Sequence, residues 1–184
     1  MTNTITTFTD RADRFSSIVA GVGDRWDAPS PCADWTAADL VRHVIDTEHD
    51  FLVKQGLVDG DAPSADDPAQ AWTEHRDQAI EALAADGVAE RAYDGYFGPT
   101  TVGDTMADFY GWDLTIHGWD LARATGQDGA ITDDEASRLS EIADGWGPAL
   151  HSEGVCGPEL PVPDGASPTE RLLARLGRDP HWTA

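Results

Sequence analysis

The chain has 184 residues, of which 40% are hydrophobic and 25% are charged, which is ordinary globular usage and enough for one domain with its own core. Asp and Glu number 34 against 12 Lys and Arg, so the net charge is −22. A surface this acidic repels phosphate backbones and anionic lipids, so we expect no nucleic-acid or membrane partner.

The sequence also predicts a compartment. No apolar run approaches the roughly 20 residues that a membrane span needs, and the segment Met1-Thr-Asn-Thr-Ile has neither the basic nor the apolar part of a secretory signal. The two cysteines, Cys32 and Cys156, lie far apart in sequence and indicate neither a disulfide framework nor a cysteine-rich zinc site. We therefore expect a cytoplasmic protein in a reducing compartment.

Apolar residues recur at helical spacing in six segments. In chain order, the predicted helices cover about residues 4–22, 36–56, 68–86, 100–124, 133–150 and 167–176. Thr132 with Glu135 has the spacing of a capping box, Ser167 is expected to cap the last helix with Pro168 in its first turn, and Gly177 ends that helix. The connections are expected to be loops, including residues 59–68, 87–99 and 154–165, and no segment alternates convincingly at the period of a strand. The sequence predicts an all-α bundle of four main helices with one or two additional C-terminal helices.

The fourth segment carries ionisable residues along its apolar face. The members of that face are Val102, Met106, Phe109, Tyr110, Asp113, Ile116, His117, Asp120, Leu121 and Ala124. Removing a carboxylate from water costs several kcal/mol unless it is paired or binds a cation. Asp113 and His117 are four residues apart, so both project from one face and can hold one metal ion. His43 borders the apolar face of the second segment and is the candidate third ligand, which would leave an open, catalytic type of site.

Simpler interpretations of these residues remain open. His43 could be a hydrogen-bonded core histidine, and Asp113 with His117 could be an ion pair across one helical turn. Asp120 could orient a metal ligand, cap a loop or pair with Arg123.

The remaining cysteine, histidine and tryptophan candidates are expected to have structural rather than chemical roles. Cys32 could be a nucleophile, but no arrangement of His and carboxylate in the sequence supports that role. His49 is expected to face solvent, and His75, His151 and His181 are expected at the surface or in loops. Four tryptophans are expected to pack in the core rather than to form a stacking platform: Trp35, Trp112, Trp119 and Trp146.

Three stretches of the chain resemble one protein family. The segment Trp26…Pro29-Ser-Pro-Cys-Ala-Asp-Trp35 with the following Thr-Ala-Ala-Asp-Leu-Val-Arg-His43-Val resembles the N-terminal signature of the mycothiol-dependent maleylpyruvate isomerase family. The segment Asp113-Leu-Thr-Ile-His117-Gly-Trp-Asp-Leu-Ala-Arg-Ala-Thr-Gly126 is similar to its second signature. The ending Arg171-Leu-Leu-Ala-Arg-Leu-Gly-Arg-Asp-Pro-His-Trp182 is typical of short members of the family.

The resemblance implies a DinB-like four-helix bundle that holds one divalent metal ion through His43, Asp113 and His117. Zinc is the first expectation, and Ni²⁺, Fe²⁺ and Mn²⁺ also suit two histidines and one carboxylate. Family members commonly have Glu where this chain has Asp113, which is one methylene shorter. The chain is expected to be a single domain over residues 1–184, with a bundle core over about 4–125, a helical extension over about 132–184, and no separate C-terminal domain like that of the full isomerase.

The implied function is a transferase or isomerase that joins a low-molecular-weight thiol such as mycothiol to an electrophilic small molecule. A coordinated cation lowers the pKa of a thiol, and the resulting thiolate attacks the electrophile. Because the full isomerase has a further domain, we do not expect maleylpyruvate itself to be the substrate. Two other hypotheses remain, a non-catalytic metal-binding module and a metal-free structural bundle. DinB-like bundles often dimerise, so a homodimer is also an expectation.

Overall fold

A computed structural model describes residues 4–64, 66–152 and 155–184. It is mostly helical, which confirms the all-α fold class. The helices are α1 (Thr4–Ala20), α2 (Ala37–Lys54), α3 (Pro68–Ala84), α4 (Val102–Thr105), α5 (Gly111–Ala124), α6 (Asp133–Asp144) and α7 (Pro168–Arg175). A π-helical turn, Met106–Tyr110, joins α4 to α5, and a 3₁₀ helix, Gly147–His151, follows α6.

The helices begin where side chains satisfy their first backbone amides. Thr36 and Asp39 form a reciprocal capping box at α2. Ser167 caps α7 as expected, and it forms a second reciprocal box with Glu170. Thr132 caps α6 by accepting from the backbone amide of Glu135, which is one half of the predicted box. The predicted fifth helix is shorter than expected because α6 ends at Asp144 and the chain continues through the 3₁₀ helix.

The segment expected to be irregular between α3 and the fourth predicted helix contains a β-hairpin. Strands β1 (Ala92–Gly95) and β2 (Gly98–Thr101) pair antiparallel, so the expectation of no strand was wrong here. Tyr96 and Phe97 form the tip, and Gly98 takes a φ of 110° that a residue with a side chain rarely adopts. The hairpin escapes a search for alternation because its strands have four residues each and one contains Pro99.

Two apolar clusters meet at α5. The larger cluster joins α1, α2, α3, α4 and one side of α5, and in it Phe15 meets Trp72 edge to face with ring centroids 4.7 Å apart. The smaller cluster joins the other side of α5, through Trp112, Ile116 and Trp119, to α6 and α7. Because both sides of α5 are covered, the polar side chains on this helix lie between two packed layers.

Among the described residues, the predicted loop at 59–68 contains no helix or strand before α3 begins at Pro68. The predicted loop at 154–165 contains none from Val155 onwards. Ala65 and Gly154 lie outside the described residues. No helix in the described part of the chain is both long and apolar enough to cross a membrane.

Candidate metal centre

His43, Asp113 and His117 meet where α2 faces α5. Nε2 of His117 lies 3.4 Å from Oδ1 of Asp113, and Nε2 of His43 lies 3.9 Å from Oδ2 of the same carboxylate. One potential ligand atom from each residue lies within 4.8 Å of the other two. The structure therefore brings together the three residues that the sequence singles out as candidate ligands.

The loop before α2 covers this group. Its backbone is fixed by a bridge between Pro29 and Thr36 and by the amide of Ser30, which donates to the carbonyl of Trp35 at 3.0 Å. The indole of Trp35 then lies 4.8 Å from the ring of His43 and is stacked 6.1 Å from that of His117. The loop thus shields the two imidazoles from one side.

Asp120 lies behind His117 and is completely buried. Its Oδ2 accepts from Nδ1 of His117 at 3.0 Å, and its two oxygens receive bonds of 2.8 to 3.1 Å from the guanidinium of Arg178. The thiol of Cys32 donates to Oδ2 at 3.3 Å. With Nδ1 occupied in this way, Nε2 of His117 is the ring atom that is aimed at Asp113 and His43.

The pKa values of these groups follow from burial and from neighbouring charge. Burial opposes the charged form of His117, but Asp113 and Asp120 outweigh it and raise its pKa to about 10. Desolvation lowers the pKa of His43, although Asp113 partly counteracts it. Burial likewise opposes ionisation of Asp120, but Arg178 and His117 hold the pKa of its carboxyl well below the usual range. Asp120 is therefore a charged acceptor in the interior.

Arg178 reaches the site from the C-terminal segment because of two glycines. Gly177 follows α7 with a φ of 77°, and a Cβ atom at this position would lie 2.8 Å from Cα of Gly157. The amide of Arg178 then donates to the carbonyl of Leu173 at 2.9 Å, which returns the chain over the end of the helix. This tight return points the Arg178 side chain inward, where only 7% of the residue is exposed.

The three candidate ligands form one wall of a cavity of about 630 Å³. Its other walls come from the loop at residues 31–35, the α4–α5 segment, Trp146, residues 155–158 and residues 176–178. This volume is within the range that small-molecule sites occupy. Apolar and aromatic walls with a few convergent polar groups are the usual composition of such sites.

Cys32, His117 and Asp120 form a second group of close donor atoms. Asp120 in this group already shares both oxygens with Arg178, so a cation would have to displace a buried guanidinium or lie beside it. Neither oxygen of Asp113 is bonded to an arginine in the described structure, where its ion-pair partners are His43 and His117. The first group is therefore the better candidate for a metal ion.

Several sequence-based interpretations of polar residues are decided by the structure. Asp120 pairs with His117 and Arg178, whereas Arg123 lies over the ring of Trp119 at 5.4 Å. His49 and His75 were expected at the surface, and this was wrong because 4% and 0% of these residues are exposed. His151 and His181 are exposed, as expected.

The tryptophans divide between the core and the cavity. Trp112 and Trp119 are buried in the smaller cluster, as expected. Trp35 and Trp146 are only half-buried, and together with Trp112 they line the cavity.

The contacts of two side chains at the site could not be recognised from the sequence. Arg178 is 58 residues from Asp120, and an arginine after a helix-ending glycine resembles any surface charge. Its only signal was the Gly-Arg pair in the C-terminal motif. Cys32 does lie beside a histidine and a carboxylate, His117 and Asp120. Both belong to α5, and Asp120 is 88 residues away in sequence.

Comparison with known proteins agrees with this description. Residues 8–122 match the family described as the mycothiol maleylpyruvate isomerase N-terminal domain. Two similar proteins are uncharacterized proteins from Mycobacterium tuberculosis, one from strain CDC 1551 / Oshkosh and one from strain ATCC 25618 / H37Rv. Each is 30% identical over 171 residues, which cover 90% of this chain and 92% of the relative. No solved structure matches significantly.

Proposed function

Because the chain belongs to the mycothiol maleylpyruvate isomerase N-terminal domain family, we propose that it binds a divalent metal ion through His43, Asp113 and His117. We further propose that it uses a low-molecular-weight thiol such as mycothiol to act on an electrophilic small molecule, as a transferase or an isomerase. Zn²⁺ is the first candidate ion, and Ni²⁺, Fe²⁺ and Mn²⁺ suit the same donors. The proposed partners are small molecules of the cytoplasm.

The observation that carries this proposal is the convergence of two imidazoles and one carboxylate on a cavity wall. Two donors that bind Zn²⁺ tetrahedrally are about 3.3 Å apart. The 3.4 Å separation of Asp113 and His117 is close to that value, and the 3.9 Å separation of His43 and Asp113 needs only a small side-chain shift. The residues present therefore fit a metal ion with three protein ligands, and the cavity gives room for further ligands.

The protein's own groups prepare the site for such chemistry. A bound cation would supply Lewis acidity and would lower the pKa of a thiol. Asp120, held by Arg178, fixes the orientation of His117, while Trp35 and Trp112 give the cavity aromatic walls. The cavity and its open side favour a catalyst over a closed structural site.

The first experiment is the metal content of the untagged protein, measured by elemental mass spectrometry. We expect about one metal ion per chain, lost in His117→Ala and kept in His181→Ala, a control in an exposed histidine. Absence of metal after incubation with Zn²⁺ or Ni²⁺ would contradict the proposal and leave a metal-free bundle.

A second experiment separates an enzyme from a non-catalytic metal-binding module. Consumption of mycothiol is measured with a series of electrophiles, and His43→Ala is compared with His181→Ala. An enzyme consumes thiol faster than the uncatalysed reaction and loses this activity in His43→Ala. Stoichiometric metal without any turnover would instead support the module.

A further inference from the structure

Exposed apolar side chains concentrate at the mouth of the cavity. Among the described residues, five large apolar side chains are more than one-third exposed. Four of them are Tyr96 and Phe97, at the tip of the hairpin, with Phe109 and Val155, which line the cavity. Single exposed apolar residues are common at protein surfaces, whereas a cluster beside a cavity indicates a binding surface.

Ring contacts connect this cluster to the interior. Tyr96 meets Phe97 at 4.9 Å between ring centroids, and Phe97 lies 6.3 Å from Trp146 with the two rings only 19° from parallel. Trp146 in turn contacts Phe109 at 5.4 Å and Trp112 at 4.8 Å. We call these five residues the aromatic row. It extends from the hairpin tip to Trp112, the residue directly before Asp113.

The size and charge of the surroundings restrict what can occupy this surface. Five side chains are far fewer than the roughly 20–30 residues a side of a stable protein interface. A membrane is disfavoured because the chain carries a net charge of −22 and anionic headgroups would be repelled. The row is also continuous with a cavity of small-molecule size, so a small ligand that extends from the cavity fits best.

We propose that the aromatic row binds a planar, uncharged aromatic or conjugated group of the electrophilic substrate, whose reactive end then points to the wall formed by His43, Asp113 and His117. The identification of this ligand as the substrate rests on the proposed function. Planarity follows from the near-parallel rings of Phe97 and Trp146, because a flat ring gains the most contact against a flat ring face. An uncharged group follows because the five side chains of the row are themselves uncharged, and the one arginine that lines the cavity, Arg178, is already paired with Asp120.

The test uses the 184-residue protein as purified and two neutral probes of similar size. Binding of 2-naphthol, which is planar, and of decahydro-2-naphthol, which is not, is measured by isothermal titration calorimetry. We expect tighter binding of 2-naphthol. Phe97→Ala should weaken that binding about two- to tenfold, the range of one aromatic contact. Phe97→Tyr should restore it, and Val53→Ala, which removes an exposed apolar side chain on α2, should leave it unchanged.

Equal affinity for the two probes, or unchanged affinity in Phe97→Ala, would overturn the proposal. So would a dimer in light scattering that Phe97→Ala converts to a monomer without any change in 2-naphthol binding, because the surface would then be an interface between two copies. Metal content is measured on the same samples. If wild type holds no metal but binds 2-naphthol in the expected order, the proposed function fails and the assignment of this surface stands.

Discussion

Asp120 is the residue on which the organisation of the site depends. It is completely buried and is held by bonds from His117, Arg178 and Cys32, which come from three separate parts of the chain. A buried carboxylate with one partner removed costs about 3–5 kcal/mol. Losing any one of these contacts would therefore leave the buried carboxylate poorly compensated, and the contact with His117 orients Nε2 of that ring towards Asp113 and His43.

Replacing Arg178 should weaken metal binding without touching a ligand. In Arg178→Lys, the charge remains but the two-pronged contact with Asp120 is lost, so His117 is held less firmly. We expect a 10- to 100-fold lower Zn²⁺ affinity, which is the usual effect of disturbing a partner of a metal ligand. Competition with a chromophoric chelator measures the affinity.

The matched control is Arg175→Lys. Arg175 is one turn earlier in the chain and pairs with Asp144 at the surface. Its replacement should leave Zn²⁺ affinity unchanged, and circular dichroism verifies that both variants are folded. Equal affinities in the two variants would show that Arg178 does not position His117.

Metal binding should release a proton from His117. Its pKa in the metal-free protein is raised to about 10, so the imidazole is protonated at pH 8 and must lose the proton to bind a cation. His43 has a lowered pKa and is already neutral at this pH. We therefore expect about one proton to be released per metal ion at pH 8. The affinity for the metal ion should rise about tenfold for each pH unit up to about pH 10, the pKa of His117.

Isothermal titration calorimetry of Zn²⁺ binding in two buffers of different ionisation enthalpy measures the number of protons released. Titration of the same Zn²⁺ solution into a chelator in each buffer corrects for protons that come from hydrolysis of the ion itself. Release of two protons, or of none, would contradict the assigned state of His117.

At the scale of elements, α2 and α3 are joined by a buried polar contact. Oε2 of Glu48 lies 2.8 Å from Nε2 of His75, and the two side chains are 1% and 0% exposed. Oε1 of Glu48 has no hydrogen-bond partner in the described structure. Burial raises the pKa of Glu48 above its ordinary value of 4.5, although His75 partly counteracts it. The folded state thus binds this proton more tightly than the unfolded state.

This contact predicts a pH-dependent effect of Glu48→Gln. Below pH 4.5, Glu48 is neutral in both states, and the stability difference between variant and wild type is constant. As pH rises through the higher folded pKa, wild type loses stability relative to the variant, because ionisation is easier after unfolding. Urea unfolding from pH 4 to 7 should therefore show a growing advantage of Glu48→Gln. The exposed change Glu74→Gln is the control, and a difference that shrinks with pH would contradict the prediction.

The main helices and the proximity of the three candidate ligands could be predicted from the sequence, but the contacts between other distant segments could not. Helical periodicity locates α2 and α5, and the four-residue spacing of Asp113 and His117 fixes their common face. Helical periodicity alone predicts that the polar residue His75 faces solvent, because the pattern of α3 does not show that Glu48 of α2 is its buried partner. The pairing of Arg178 with Asp120 likewise depends on a chain return at Gly177.

At the scale of the whole molecule, the candidate site lies between the two apolar clusters. The family match ends at residue 122, whereas the cavity also takes residues from Trp146 to Arg178. The segment after the family match thus closes the cavity and supplies Arg178 to its wall. The candidate metal ligands all lie within the matched part, and residues outside that part form the opposite walls of their cavity.

The net charge predicts a strong effect of salt on stability. Asp and Glu exceed Lys and Arg by 22, and two like charges about 10 Å apart repel by about 0.4 kcal/mol in water. Raising the ionic strength from 0.01 to 0.5 M shortens the screening length from about 30 Å to less than 10 Å. We expect the free energy of unfolding at pH 7.5 to rise by about a few kcal/mol, because the compact state holds these charges closer together than the unfolded chain.

Near pH 4.2, the isoelectric point, the same salt increase should have little effect, since the net repulsion is gone. Urea unfolding at both pH values, with NaCl and KCl to separate specific ions from screening, measures this increment. An equal increment at the two pH values would mean that salt acts through apolar burial or a bound ion, and not through the acidic surface.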